Sequence, residues 1–186
     1  VDGDNRYLWR MNRRRLEAEE VRDAMLAASG RLDRRQGGPG YFLFVLERAE
    51  HSPHYEYHKF DPADPQTHRR SIYRFVVRSQ PDPYMTTLDC ADSSQSTPQR
   101  NETLTALSAL SLLNNRFGLV MAESLADRVR AEEPQPAGQV RRAFELATCR
   151  SPTAEEQATL LGYADVHGLA NLCRLLFNLS EFVYVD

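Results

Sequence analysis

Lysine is almost absent from this chain. Its 186 residues include 23 basic side chains, and all but Lys59 are arginine. A GC-rich gene gives such a bias by itself, but the chemical consequence stands: arginine donates in a planar fork that lysine lacks. A basic excess is missing as well. The 23 cations face 26 Asp and Glu, for a net charge of −3, which argues against a dedicated nucleic-acid binder. No run of about 18 apolar residues occurs, so no segment reads as a membrane span. The first 30 residues carry no apolar core of signal-peptide type. Cysteine is scarce, with Cys90, Cys149 and Cys173 far apart and no C-x-x-C pair. That excludes a zinc ribbon, a thioredoxin-type motif and covalent haem attachment. A Cys149–Cys173 disulfide requires two helices to meet there; buried free thiols are the expected state.

What remains is globular. At 41% hydrophobic the chain is too apolar for disorder and long enough to bury a core, and 9 Gly and 10 Pro are ordinary counts. Tyr7, Trp9 and Met11 alternate with polar neighbours, as a short strand or extended lead-in does. Val21, Ala24, Met25 and Ala28 recur at helical spacing behind the acids Glu17, Glu19 and Glu20, and Gly30 supplies the stop. Gly37-Gly38-Pro39-Gly40 marks a turn. Tyr41 to Leu46 reads as a buried strand. Residues 51–68 read as a loop with one short strand at most. Ser71 to Arg78 reads as a strand with an Arg-decorated outer face. Gln80 to Arg100 is a long polar loop of the kind that is functional or packed on itself. From Glu102 the period is helical. One face has Ala106, Leu110 and Leu113, with Leu104 and Leu107 beside it. A second helix shows Phe117, Val120, Met121, Leu125 and Val129, and a third Val140, Ala143, Phe144 and Ala147. Thr153 and Glu156 form a capping box, Gly168 ends that helix, and Leu169 to Leu179 suits a central position. The expected fold is α+β and mostly α, one domain over residues 1–186. A mixed part (1–80) supplies a small sheet, a polar loop (81–101) follows, and a helical bundle (102–186) packs against the sheet.

Four segments carry a resemblance. They are WRMNRRRLEAEEVRDAMLAASGRLD from Trp9, GGPG from Gly37, RRSIYRFVVRSQPDPYMTTLDCADSSQSTPQRNETLTALSALSLLNN from Arg69 and NLCRLLFNLSEFVYVD from Asn171. In this order and spacing the chain resembles the C-terminal domain-of-unknown-function family 1553 of large exported planctomycete proteins, which often contain cytochrome-c-like modules. The resemblance implies a domain truncated at its leading helical stretch and a periplasmic or extracellular location. It implies neighbouring domains of a parent protein as partners, a cytochrome-c-like module among them. It brings no mechanism with it.

Two constellations carry chemistry. Arg69, Arg70, Asp89, Asp92 and Arg100 match recurring positions of the family pattern, with Arg74 and Arg78 nearby. They form either a pocket in which arginines bind an anion and an aspartate moves a proton, or an ion-paired network that pins the long loop. His54, Glu56 and His58, with His51 ahead of them, share one face of an extended segment, a donor set suited to zinc or iron. The polar face of an edge strand has the same pattern. Cys90 would need a base to act as a nucleophile; His68 is nearest in sequence, and Asp89 and Asp92 oppose thiolate formation. The expectation is a scaffold or interaction domain without catalysis, cofactor or membrane insertion. The alternative is a ligand-binding or hydrolytic domain acting on anionic polysaccharide through the Arg/Asp loop or a His/Glu metal site.

Overall fold

Helices form where the apolar spacing asked for them. A computed structural model describes residues 2–48, 53–103 and 105–185. In chain order its elements are β1 (Arg14–Arg15), α1 (Ala18–Ala28), β2 (Val45–Arg48), β3 (Pro53–Glu56), α2 (Pro83–Thr87), α3 (Ala106–Asn114), α4 (Arg116–Glu132), α5 (Pro136–Thr148), α6 (Ala154–His167), α7 (Leu169–Leu176), α8 (Ser180–Val183) and β4 (Tyr184–Val185). Short 3-10 turns occupy Pro65–Thr67 and Ser71–Tyr73. The fold is mostly α with a little β, as expected. The β part is two separate antiparallel pairs, β2 with β3 and β1 with β4. The second pair ties the start of the chain to its end, because Arg15 lies opposite Tyr184 and Leu16 donates to the Val183 carbonyl at 2.7 Å.

The core runs through α1, α4, α5 and α7. Val21, Met25 and Leu26 of α1 meet Met121, Leu125 and Val129 of α4, Val140 and Phe144 of α5 and Leu172, Cys173 and Leu176 of α7, all of them buried. The predicted capping box opens α6: Glu156 N–H donates to Thr153 Oγ1 at 3.2 Å, and Thr153 N–H to Glu156 Oε2 at 2.8 Å. The chain ends docked, with Phe182 and Val183 buried. Cys173 is buried, Cys149 is exposed, and both are free thiols.

The expected polar loop at 81–101 contains the short helix α2, with Met85 buried, and four further local expectations fail. Residues 7–11 form no strand; Tyr7, Leu8, Trp9 and Met11 are exposed. The strand expected at Tyr41–Leu46 starts only at Val45, and Tyr41, Leu43 and Phe44 are buried without a ladder. Ser71–Arg78 is a 3-10 turn followed by irregular chain. One parallel bridge joins Tyr41 to Arg74, through Tyr41 N–H to Tyr73 O (3.2 Å) and Phe75 N–H to Tyr41 O (2.9 Å). Gly40 allows that approach, since a Cβ there would lie 2.8 Å from the Tyr73 carbonyl oxygen. The Arg-decorated face is also corrected, because the Arg74 side chain is only 5% exposed.

The fourth failure is α3, whose expected apolar face points outward. Ser108 and Leu112 are buried instead, while Leu107 and Leu110 are 62% and 55% exposed. Polar bonds fix this rotation. Thr105 Oγ1 caps the helix by accepting from Ser108 N–H at 3.1 Å, and Ser108 Oγ donates to the Thr87 carbonyl at 2.8 Å.

Candidate functional site

The residues flanking the long loop are placed by α1, whose outward acids receive arginines arriving from both sides. Glu20 accepts two bonds from Arg14, each 2.7 Å. Glu19 lies 3.5 Å from Arg100, and Glu17 lies 3.6 Å from it. Asp23 accepts from Ser71 N–H at 2.8 Å and lies 3.7 Å from Arg70 Nε. Arg22 sits on the buried stripe between Ala18 and Met25, 1% exposed. It donates to the carbonyls of Arg69 (3.0 Å) and Thr67, with its guanidinium stacked over Tyr41 and Phe117.

The five arginines and aspartates singled out from the sequence are therefore spread out. Arg69, 3% exposed, donates to the carbonyls of Arg35, Gly37 and Pro39 and stacks 4.0 Å over the Tyr73 ring. Arg70 reaches Asp23 and Arg100 reaches Glu17 and Glu19. Asp89 accepts from Arg15 at 2.8 Å and from both the N–H and the hydroxyl of Thr103, at 2.8 and 2.7 Å. Its φ of +64° is the left-handed stop of α2, where Cys90 N–H returns to Met85 O at 3.0 Å. Asp92 closes a local turn through Ser94 N–H and Gln95, and the Ser94 side chain first, then these two, hold its carboxyl below the usual aspartate range. None of the five pairs with another of the five. Their partners Arg15, Glu17, Glu19 and Asp23 escaped sequence reading. Arg22 left a signal, a lone charge inside an apolar stripe.

Cys90 is half-buried, with its thiol donating to Glu19 at 3.3 Å. Burial first, and then Glu19, push the thiol up; the acids responsible are not Asp89 and Asp92. His68 is 3% exposed and bound through its ring to the Pro62 carbonyl at 2.9 Å, so it serves its own turn. His54 and Glu56 lie on one face of β3, His54 opposite Glu47, and His58 Nδ1 is 3.2 Å from Glu56. His51 lies outside the described residues. Among the described residues, no group of three or more His, Cys, Asp and Glu side chains is placed to hold a metal ion.

Beside this network lies a pocket of about 420 Å³ between residues 74–78, α2 and the turn at 90–94, with Arg74, Arg78 and Asp82 on its wall. Asp82 caps α2 by accepting from Tyr84 N–H at 3.0 Å, and burial raises its carboxyl above the ordinary aspartate value. Arg78 donates to the Ser93 and Ser94 carbonyls at 3.0 and 3.1 Å and so holds the far wall.

Comparison with known sequences gives one family. The model of PSD1, described as a protein of unknown function (DUF1553), matches residues 1–164. No curated protein and no solved structure matches the chain. No described helix is long and apolar enough to cross a membrane.

Proposed function

Because this chain belongs to the PSD1 family (DUF1553), we propose that it is an interaction domain of a larger extracytoplasmic protein, docked on a neighbouring domain of the same polypeptide. The outer face of α3 carries this reading. That helix has the apolar pattern of a core element, yet its turn toward Thr87 leaves Leu107 and Leu110 in solvent. Burying one such side chain stabilises by about 1.5–3 kcal/mol, so a partner that covers the face gains free energy from residues already fixed in place. The polar side chains that would otherwise suggest chemistry are held inside the chain: Arg69 by backbone carbonyls, Asp89 by Arg15 and Thr103, Arg100 by Glu17 and Glu19. In this reading the Arg–acid network shapes the loop, and a cytochrome-c-like module is one candidate neighbour.

The test uses Leu107→Asp and Leu110→Asp in the parent protein and in this chain alone. Both sites are exposed, so thermal unfolding of the isolated chain should move little, within about 0.5 kcal/mol. Association with the adjoining domains should be lost. Retained association, or equal hydroxyl-radical labelling of α3 in the parent and in the isolated chain, overturns the proposal.

A further inference from the structure

Among the described residues, Arg74 differs from the other buried arginines. Arg15, Arg22 and Arg69 are each 5% exposed or less, and each gives hydrogen bonds to at least one main-chain carbonyl. The Arg74 side chain is equally buried, yet its closest acceptors are the Cys90 sulfur at 3.6 Å and Asp82 at 3.9 Å. Its Nε is buried without a partner, as are those of Arg15, Arg22 and Arg69, so what sets Arg74 apart is its terminal nitrogens, which meet a sulfur, and a carboxylate beyond hydrogen-bond reach, instead of a carbonyl. A guanidinium has five N–H donors, and leaving them unmade in a buried place is costly. The nearby acids satisfy it only in part: Asp82 caps α2 through Oδ1 and leaves Oδ2 3.9 Å from Arg74, Asp92 closes its own turn, and Glu19 holds Arg100 and the Cys90 thiol.

We propose that the pocket walled by Arg74 and Arg78 binds a small organic carboxylate, with the Arg74 guanidinium as the primary contact. The planar fork matches a carboxylate in two parallel bonds. Asp82 and Asp92 on the same wall disfavour a doubly charged phosphate. Val77 and Met85 on the lining are both buried and apolar, so they suit the hydrocarbon body of an acid better than a hydrated inorganic ion. The volume of about 420 Å³ lies within the range of small-ligand pockets. Arg78 supplies the second cation from the rim, where it is exposed. This inference is independent of α3 docking; either can fail alone.

The experiment titrates the whole chain with benzoate, acetate and inorganic phosphate, following backbone amide resonances by NMR. Benzoate should give saturable shifts at residues 74–78 and 90–94, with a Kd no weaker than about 10 mM. Acetate should bind more weakly, and phosphate weakest. Arg74→Met should lose binding at least tenfold. Arg78→Gln removes the rim cation and also frees the Ser93 and Ser94 carbonyls; it should lose binding several-fold, and unchanged amide resonances in α4 and α7 show that the fold is kept, so the test stays decisive if Arg74→Met does not fold. Saturating benzoate should also slow alkylation of Cys90 by iodoacetamide while leaving exposed Cys149 unaffected. Absence of saturable shifts, binding undiminished in Arg78→Gln, or phosphate binding as tightly as benzoate overturns the assignment.

Discussion

Between Asp33 and Thr103 the described residues make one pair of four-residue strands, two 3-10 turns and a five-residue helix, whereas those from Ala106 to Val183 make six helices. Every peptide group in both regions needs a hydrogen-bond partner once it is buried. The helical region satisfies this internally and is then free to pack side chains. Outside the β2–β3 pair the irregular region lacks ladders, and guanidinium groups take their place: Arg22 holds Thr67 and Arg69, Arg69 holds Arg35, Gly37 and Pro39, and Arg78 holds Ser93 and Ser94, all at main-chain oxygens. A guanidinium gathers two or three carbonyls of one turn that lies far from the arginine itself in sequence. Lysine presents a single point from which to donate. The near-absence of lysine thus has a structural use here, whatever its genetic origin.

If that division is right, the two regions should break differently. The largest effect is expected at Arg22→Met. It removes the donor from the Thr67 and Arg69 carbonyls and should cost about 3–5 kcal/mol in denaturant unfolding. A loss below about 1 kcal/mol, near the net worth of a single hydrogen bond, would show that the carbonyls do not depend on it. Leu125→Ala in α4 should cost about 3 kcal/mol by opening a cavity in a fully buried site. Its loss should be global, with hydrogen exchange quickened in all helices together. Arg69→Lys should cost less, about 1–2 kcal/mol, and act locally: amides of residues 35–41 should exchange faster while α4 and α7 keep their protection. Uniform acceleration would erase the distinction between the two regions.

The smallest effect separates the regions by pH. Burial, with help from Arg22 and Arg31, holds His68 below its ordinary 6.5, so the folded state favours the neutral ring. Stability from this group is present above pH 6.5 and is lost as pH falls from there through the folded value. Glu156 of α6 behaves oppositely in range. Arg150 and the Thr153 N–H pull its carboxyl down to about 2 from an ordinary 4.5, so its contribution persists above pH 4.5 and fades as pH falls toward 2. On acidification, the turn at 62–68 should therefore loosen before the start of α6. Per-residue NMR exchange from pH 7 to pH 3 reads the order, and simultaneous loosening would contradict it.

Much of the helical region was legible in the sequence because helix formation is local. The stripe of α4, the stop at Gly168 and the box at Thr153 and Glu156 depend on residues within a turn of each other. The candidate site was legible only as a list of residue types. Arg69, Asp89 and Arg100 stood out, but their partners come from α1, Thr103 and the Gly37 turn, tens of residues away, and no spacing rule links them. The α3 face misled for a related reason: its hydrophobic pattern was real, but Ser108 bonding to Thr87 outweighed it.

Sequence alone determined that this chain folds mostly as helices and that no described helix is long and apolar enough to cross a membrane, since both follow from local periodicity. Tertiary structure alone decided which arginines are spent on carbonyls and which one is left over. That outcome turns on which distant oxygens the fold brings within about 3 Å of each guanidinium, a distance that no local pattern encodes.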